Sequence, residues 1–333
     1  MTQRAPIIDP HGRRIHYVRL SVTDRCNFRC QYCMPEDGVD FMPREQMLSF
    51  EETEQLARVL VQMGVDRIRL TGGEPTVRRD IVELVERIDR ARPYGLRDLA
   101  MTTNAWNLKK LALPLKQAGL DRVNISLDTL RPERFAALTR GPAKRLDDVL
   151  AGIDAVAGLG WLPLKINVVV CGGLNEDEVA DFVGHFADLP VTIRYIEYMP
   201  FSENRFTLVP WEQTRARIEQ RFTLTPTTVA NGSGPADYWR VEGTKVEIGS
   251  IGALSRQFCE RCNRIRITSD GRLKNCLAFE PDMVSLRDVM RAGGDDDALE
   301  AAVRGAVASK PFAHECTEQE GRAFDGAMVL IGG

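Results

Sequence analysis

Six cysteines of this chain fall into two groups of three whose spacing suits metal chemistry. Cys26, Cys30 and Cys33 stand in "DRCNFRCQYCMPE", residues 24–36, and Cys259, Cys262 and Cys276 stand in "CERCNRIRITSDGRLKNC", residues 259–276. A structural zinc ion or an iron-sulfur cube normally takes four protein ligands, so each group is one short. Three thiolates on a 4Fe-4S cube leave one iron open, and an open iron can bind a substrate or cofactor directly. The first spacing also matches one helical face, which would suit three cysteines packed in a core. Against that, Asn27, Arg29 and Gln31 are polar and Pro35 and Gly38 follow closely, so the segment reads as a loop. For the second group, zinc completed by Cys316 or His314 stays open. Cys171 and Cys316 lie outside both groups and read as small buried hydrophobes.

The elements that must position these thiols follow one rhythm. "IHYVRLSV" precedes the cysteine loop and then "SFEETEQLARVLVQMG", where Ser49 and Glu52 make a capping box. "DRIRLTGG" and "DIVELVERIDRA", "LRDLAMTTN" and "LKKLALPLKQAG", and "DRVNISLD" with a helical stretch to about Gly160 come next. "PLKINVVVC" with "EDEVADFVGHFAD" and "VTIRYIEYM" with "WEQTRARIEQRF" complete six strand-helix units. Such repetition predicts a parallel sheet wound as a barrel, and six units rather than eight predict a partial (β/α)6 barrel of TIM type. After about residue 224 the pattern changes to short strands, with Asp270-Gly271 as a hairpin signal, so the expected division is 13–224 and 225–333. The cysteine loop then lies at the C-terminal end of the first strand, where barrels keep their active sites.

Strand parity predicts the barrel interior. Helices outside require Val18, Leu20 and Val22 on the outer face, which turns Tyr17, Arg19, Ser21 and Thr23 inward. The same parity groups Arg67, Arg69 and Thr71, then Asn124, Ser126 and Asp128, and then Lys165 with Asn167. A barrel filled for stability would carry aliphatic side chains there. Basic residues on three strands at matching parity predict a wet, cationic cavity instead.

Composition narrows the class. With 44% hydrophobic and 27% charged residues in 333, the chain is an ordinary globular protein with no signal-peptide pattern and no apolar run long enough to span a bilayer. A cytoplasmic setting is expected, where clustered thiols point to metal or redox chemistry rather than disulfides. The net charge of −3 gives no global bias toward nucleic acid, so an anionic substrate must meet a local basic cluster.

Cys26-x3-Cys30-x2-Cys33 with Tyr32, followed after the second strand by "LTGGEP", resembles the signature of the radical S-adenosylmethionine (SAM) enzymes. The second triad and the terminal Gly332-Gly333 resemble the GTP-cyclising family of that superfamily, which opens molybdenum-cofactor (molybdopterin) biosynthesis, and the likeness runs from about Arg13 to the end. The resemblance implies a lyase with two 4Fe-4S clusters, one on each triad, and SAM as cofactor. It implies that a 5′-deoxyadenosyl radical abstracts the ribose 3′-hydrogen of GTP and that the sugar radical attacks guanine carbon 8. SAM contacts carry over to Tyr32, Gly73, Ser126 and Met199, and GTP contacts to Arg19, Arg69, Thr102, Lys165 and the run Arg264, Ile265, Arg266. Glu74 is expected to supply negative charge near the SAM ammonium, and the tail glycines to reach the active site. Where the family usually has Gly, this chain has Ala105. The implied partners are an external one-electron donor and a downstream cyclic pyranopterin monophosphate synthase, with a homodimer as the candidate assembly. The competing readings are a peptide-modifying radical SAM enzyme with an auxiliary cluster and a metal-binding regulatory protein.

Overall fold

The computed structural model describes residues 3–200, 206–228, 236–278, 283–314 and 327–332. Six strands pair in parallel in chain order: β1 (Tyr17–Ser21), β2 (Arg67–Thr71), β3 (Asp98–Thr103), β4 (Arg122–Ser126), β5 (Leu164–Gly172) and β6 (Val191–Glu197). Helices α1 (Phe50–Gln62), α2 (Ile81–Asp89) and α3 (Leu108–Gln117) follow the first three strands. Two helices, α4 (Pro132–Thr139) and α5 (Arg145–Gly158), follow β4, and α6 (Val179–His185) and α7 (Trp211–Glu219) follow β5 and β6. All six expected units are present. The anticipated capping box closes reciprocally at α1, with Glu52 N donating to the Ser49 hydroxyl and Ser49 N to the Glu52 carboxylate.

The segment after residue 224 builds on both edges of this sheet. Strands β7 (Leu224–Thr227), β8 (Asp237–Val241) and β9 (Glu247–Ile251) form an antiparallel meander, and β9 pairs in parallel with β6. The chain then crosses to the opposite edge, where β10 (Arg264–Ile267) pairs in parallel with β1 and continues through β11 (Arg272–Lys274) and β12 (Val284–Ser285). The strand order is β7-β8-β9-β6-β5-β4-β3-β2-β1-β10-β11-β12, and among the described residues it does not close. Helices α8 (Leu286–Arg291) and α9 (Asp296–Val307) finish this half. A two-stranded hairpin, Ile7–Ile8 with Arg14–Ile15, precedes β1 and was not foreseen from the sequence. No helix among the described residues is long and apolar enough to cross a membrane.

Parity is realised in burial. Val18, Leu20, Ile68 and Leu70 are at most 1% exposed and belong to one apolar core under the helices, while the alternate residues face the barrel interior. Truncating one such Leu or Ile to Ala would cost about 2–5 kcal/mol. Cys171, within β5, is fully buried, as expected of an inert thiol, whereas Cys316 lies outside the described residues.

The loop after β3 depends on an unusually close contact. Ala105 has φ +64, the left-handed region that favours glycine, and its carbonyl oxygen would lie 2.3 Å from a Cβ built on Gly152 of α5. Gly152→Ala gains about 1 kcal/mol of helix propensity. Displacing α5 from that carbonyl costs about 1–3 kcal/mol, so the clash should win. We expect a lower midpoint of thermal unfolding for this variant; an unchanged or raised midpoint would show that α5 can move freely.

Candidate functional site

The first cysteine triad lies where the sequence placed it, in the loop that leaves β1. The loop turns tightly, with the amides of Cys33 and Met34 both donating to the Cys30 carbonyl, at 2.9 and 3.0 Å. Guanidinium groups from the α4–α5 corner hold its outer side. Arg140 Nη1 donates to the carbonyls of Met34 and Pro35 at 3.0 and 3.2 Å, and Arg145 Nη1 donates to Asn27 O at 2.9 Å. Phe28 wedges edge-on against Phe135 of α4, with ring centroids 5.5 Å apart. Burial pushes the Cys26 and Cys33 thiols up to about 12, helped by Glu74 at the first and by the Cys26 charge at the second. Burial raises Cys30 further, and the other two thiols add to it. Neutral thiols this close are stable without metal, and iron would supply the positive charge that deprotonates them.

The glycines of "LTGGEP" are explained by backbone contact. Gly73 N donates to Thr23 O and Glu74 N to Arg25 O, both at 2.8 Å, so the β2 loop lies flat on the β1 loop. A Cβ on Gly73 would stand 2.3 Å from Arg25 O. The Glu74 carboxylate is held between two loops. It is 1% exposed and accepts from Thr76 N (3.0 Å), Thr76 Oγ1 (2.6 Å), Thr103 Oγ1 (2.7 Å) and Asn104 N (2.7 Å). These bonds, three on Oε1 and one on Oε2, tie the β2 loop to the β3 loop. Asn104 Nδ2 passes the connection on to Asn27 of the cysteine loop at 2.8 Å.

Tyr32, Gly73, Ser126 and Met199 gather at one rim, because each lies at or beyond the C-terminal end of a parallel strand: β1, β2, β4 and β6. The Tyr32 hydroxyl donates to Asp128 Oδ2 at 2.7 Å, and Val169 N donates to Asp128 Oδ1 at 2.8 Å. Burial nevertheless lifts the Asp128 carboxyl to about 6.

Below the rim runs a row of cations. In register, Arg266 of β10 sits beside Arg19 of β1, and Arg19 beside Arg69 of β2. On the other wall Asn124 pairs with Lys165, and Asn167 with Arg194. With its amide turned so that the oxygen accepts, Asn124 takes Arg194 Nη2 at 2.8 Å and also Arg69 Nη1. Arg69 lies over the Tyr17 ring, 5.6 Å from its centroid. Burial and then mutual repulsion depress these cations: Arg19 falls well below its ordinary value, Arg194 and Arg266 fall to about 10 and Lys165 to about 7. The hydroxyls of Thr71, Thr102 and Thr192 and the side-chain oxygen of Asn167 are buried without a partner among the described residues. Such a lining fits a large, polar, anionic ligand. Arg194 was missed from sequence; the inward parity applied to "VTIRYIEYM" would have found it.

The second triad approaches the same wall. Cys259 and Cys262 flank a single turn, Cys259–Arg261, that leads into β10, and the β10–β11 hairpin returns the chain so that Cys276 comes back beside that turn. Burial would push the Cys262 thiol up, but Lys310 and Arg264 outweigh it and hold it below the ordinary range. Arg264 lies over the Phe258 ring at 4.8 Å. Ile265, expected among the GTP contacts, is fully buried in the apolar core between the two arginines, so its main chain is the only part of it left for the cavity. His314, the candidate fourth zinc ligand, uses its Nε2 on Ala253 O at 3.2 Å. Among the described residues no three His, Cys, Asp or Glu side chains gather round a single metal ion. Thiols spread in this way fit a 4Fe-4S cluster, which would take each of the three on a different iron.

The chain's last described residue enters the barrel. Gly332 has φ +79, its carbonyl accepts from Arg266 Nη1 at 3.3 Å, and a Cβ there would lie 3.0 Å from Thr71 Oγ1 and 3.1 Å from Ser21 Cβ. Just before it, Ala327 and Val329 pack with Met34 over the cysteine loop. Gly333 lies outside the described residues.

Comparison with known proteins agrees with this geometry. Residues 20–186 match the radical SAM superfamily and residues 191–316 match Molybdenum Cofactor Synthesis C. A GTP 3′,8-cyclase of Heliobacterium modesticaldum is 44% identical, covering 98% of this chain and 100% of that protein. The chain belongs to the GTP 3′,8-cyclase family of radical SAM proteins. The mitochondrial GTP 3′,8-cyclase of Arabidopsis thaliana is 42% identical over 98% of this chain and 83% of its own length. Molybdenum cofactor biosynthesis protein 1 of Mus musculus is 43% identical over 98% of this chain and 51% of its own length. Among solved structures, Streptococcus suis SuiB bound to S-adenosylmethionine superposes with a TM-score of 0.55 at 15% identity, covering 88% of this chain and 69% of that one, which shows the fold alone. An iron-sulfur cluster and SAM are the cofactors of the superfamily to which the chain belongs.

Lys165 gives the cationic wall a measurable signature. Its pKa of about 7 reflects burial and then Arg194, Arg122 and Arg69; a bound polyanion would raise it again. Between the free and the raised value, binding must take up a proton, so affinity is full below the free pKa and weakens as pH rises through it. Calorimetry with inorganic tripolyphosphate at about pH 8, in buffers of different ionisation enthalpy, should register proton uptake that Lys165→Met removes. Equal uptake in both proteins would remove Lys165 from the anion site.

Proposed function

We propose that this chain is a lyase that cyclises GTP to (8S)-3′,8-cyclo-7,8-dihydroguanosine 5′-triphosphate in molybdenum-cofactor biosynthesis. The observation that supports this most is the arrangement of two thiol triads, each without a fourth ligand among the described residues, around one row of buried cations. When bound, the first cluster and SAM would supply the radical that removes the ribose 3′-hydrogen; carbon 3′ would then join guanine carbon 8, and one electron from the external donor with one proton would complete the dihydro product. Cys26, Cys30 and Cys33 hold the first 4Fe-4S cluster, and Tyr32, Gly73, Ser126 and Met199 surround SAM at the rim. Cys259, Cys262 and Cys276 would hold a second cluster, which would bind the guanine.

The remaining residues bind and orient the substrate. Arg19, Arg69, Lys165, Arg264 and Arg266 take the triphosphate, joined by Arg194, and Thr102 offers its unpartnered hydroxyl. A triphosphate brings about four negative charges, enough to offset much of the repulsion within the row. Gly332 closes the barrel interior from its C-terminal side, where a larger residue would meet Thr71 and Ser21. Residues 13–224 then serve as the radical-generating half and 225–333 as the half that carries the second cluster. An external one-electron donor and a cyclic pyranopterin monophosphate synthase are the partners this reaction requires.

Anaerobic reconstitution should give about two 4Fe-4S clusters per chain. Reduced enzyme with SAM and GTP should release 5′-deoxyadenosine and the cyclised nucleotide, and Cys26→Ala should abolish both. Cys259→Ala should retain SAM cleavage, lose about half of the iron and form no cyclised product. Neither product from the reduced wild-type enzyme would end this reading.

A further inference from the structure

Lys310 has no part in the chemistry above, yet it lies 3% exposed at the meeting point of every segment that carries the second triad. Its ammonium donates to Arg264 O at 2.9 Å and to Asn275 O at 2.5 Å. Those two carbonyls belong to the chains that deliver the thiols: Arg264 opens β10 just after Cys262, and Asn275 immediately precedes Cys276. Asn275 is itself fastened to the end of α9, its Nδ2 donating to Ala306 O at 2.7 Å and to Ser309 Oγ at 3.2 Å.

The N-terminal hairpin locks the third thiol into the same assembly. Arg13 Nη1 donates to Cys259 O at 2.6 Å and to Phe312 O at 2.7 Å, while its Nη2 reaches Pro311 O at 2.7 Å. Asp9 Oδ2 fixes the Arg13 guanidinium at 2.5 Å, and the His11 ring bonds to Lys310 O at 3.1 Å. A buried ammonium is costly unless paired, and two carbonyls answer two of its three donors without answering its charge. Cys262 and then Cys276 are the strongest favourable charges that Lys310 meets.

We propose that Lys310 is a positioning residue for the second triad: it spaces the two chains that carry Cys262 and Cys276 and keeps a positive charge beside their thiolates. The inference rests on the reading of that triad as a cluster site. Charge and hydrogen bonding around the sulfurs set a cluster's reduction potential, and a nearby cation favours the reduced form. The Lys310 ammonium therefore raises the potential of the second cluster and leaves the first untouched.

The test compares Lys310→Met, Lys310→Gln and Lys310→Arg with wild type after anaerobic reconstitution, by iron content and by redox titration followed with electron paramagnetic resonance. Lys310→Arg should keep both clusters near their wild-type potentials. Lys310→Gln, which retains a donor but no charge, should keep the iron and lower the potential of the second cluster alone. Lys310→Met should lose second-cluster iron or lower that potential further, with SAM cleavage at the first cluster retained. If the Met variant fails to fold, Lys310→Gln decides. Unchanged potentials in Gln and Met overturn the proposal, and so does equal loss at both clusters, because a local support cannot act on the distant triad. Wild-type protein holding one cluster would instead remove the two-cluster reading itself.

Discussion

Like charges packed on one face of a sheet are the constraint around which this molecule is arranged. Arg266, Arg19 and Arg69 occupy adjacent strands in register, and Lys165 and Arg194 approach from the opposite wall. Each loses hydration and gains a cationic neighbour, as the depression of Lys165 to about 7 records. The fold tolerates this because the outer faces of the same strands bury an uninterrupted aliphatic layer that includes Val18, Leu20, Ile68 and Leu70. Ring faces and amide oxygens, Tyr17 under Arg69 and Asn124 between Arg69 and Arg194, absorb part of the remaining repulsion. What is left over is an excess of buried positive charge.

Both cysteine loops are held from behind by cations on main-chain carbonyls. Arg140 and Arg145 grip the first loop, and Arg13 and Lys310 grip the chains of the second. Carbonyl acceptors suit this task, since they position backbone without competing for thiolates the way a carboxylate partner would compete for the cation. The sulfurs are left with N–H donors, such as Phe28 N on Cys26 Sγ at 3.4 Å, of a kind that a metal-bound thiolate also accepts. Glu74 performs the converse service at the rim, collecting amides and hydroxyls from the β2 and β3 loops so that the glycine pair lies against the first loop.

Local pattern carried most of what was legible in the sequence. Alternation in "YVRLSV" and "DRIRLTGG" told inside from outside, Ser49 and Glu52 marked the start of α1, and cysteine spacing marked both triads. Pairings between distant segments were not legible, because periodicity says which face a residue takes and not which strand lies next to it. Nothing in "RIRI" announces that it adds to the edge of β1, and nothing in "PHGRR" announces a clamp on Cys259. Ile265 is buried by that alternation between two arginines that face the other way, so any contact it makes with a ligand runs through its main chain. Lys310 escaped notice because a lone lysine after a helix ordinarily reads as a solvated end.

The edge pairing of β10 with β1 has a consequence for the order in which the molecule is made. The first barrel strand to leave the ribosome receives its outer neighbour only after most of the chain has followed, and the Arg13–Cys259 contact closes a separation of 246 residues. Until then β1 presents an open edge beside three reactive thiols, exposed to wrong partners and to oxidation. The pairing that covers β1 is therefore a long-range contact, which makes it a slow step of folding.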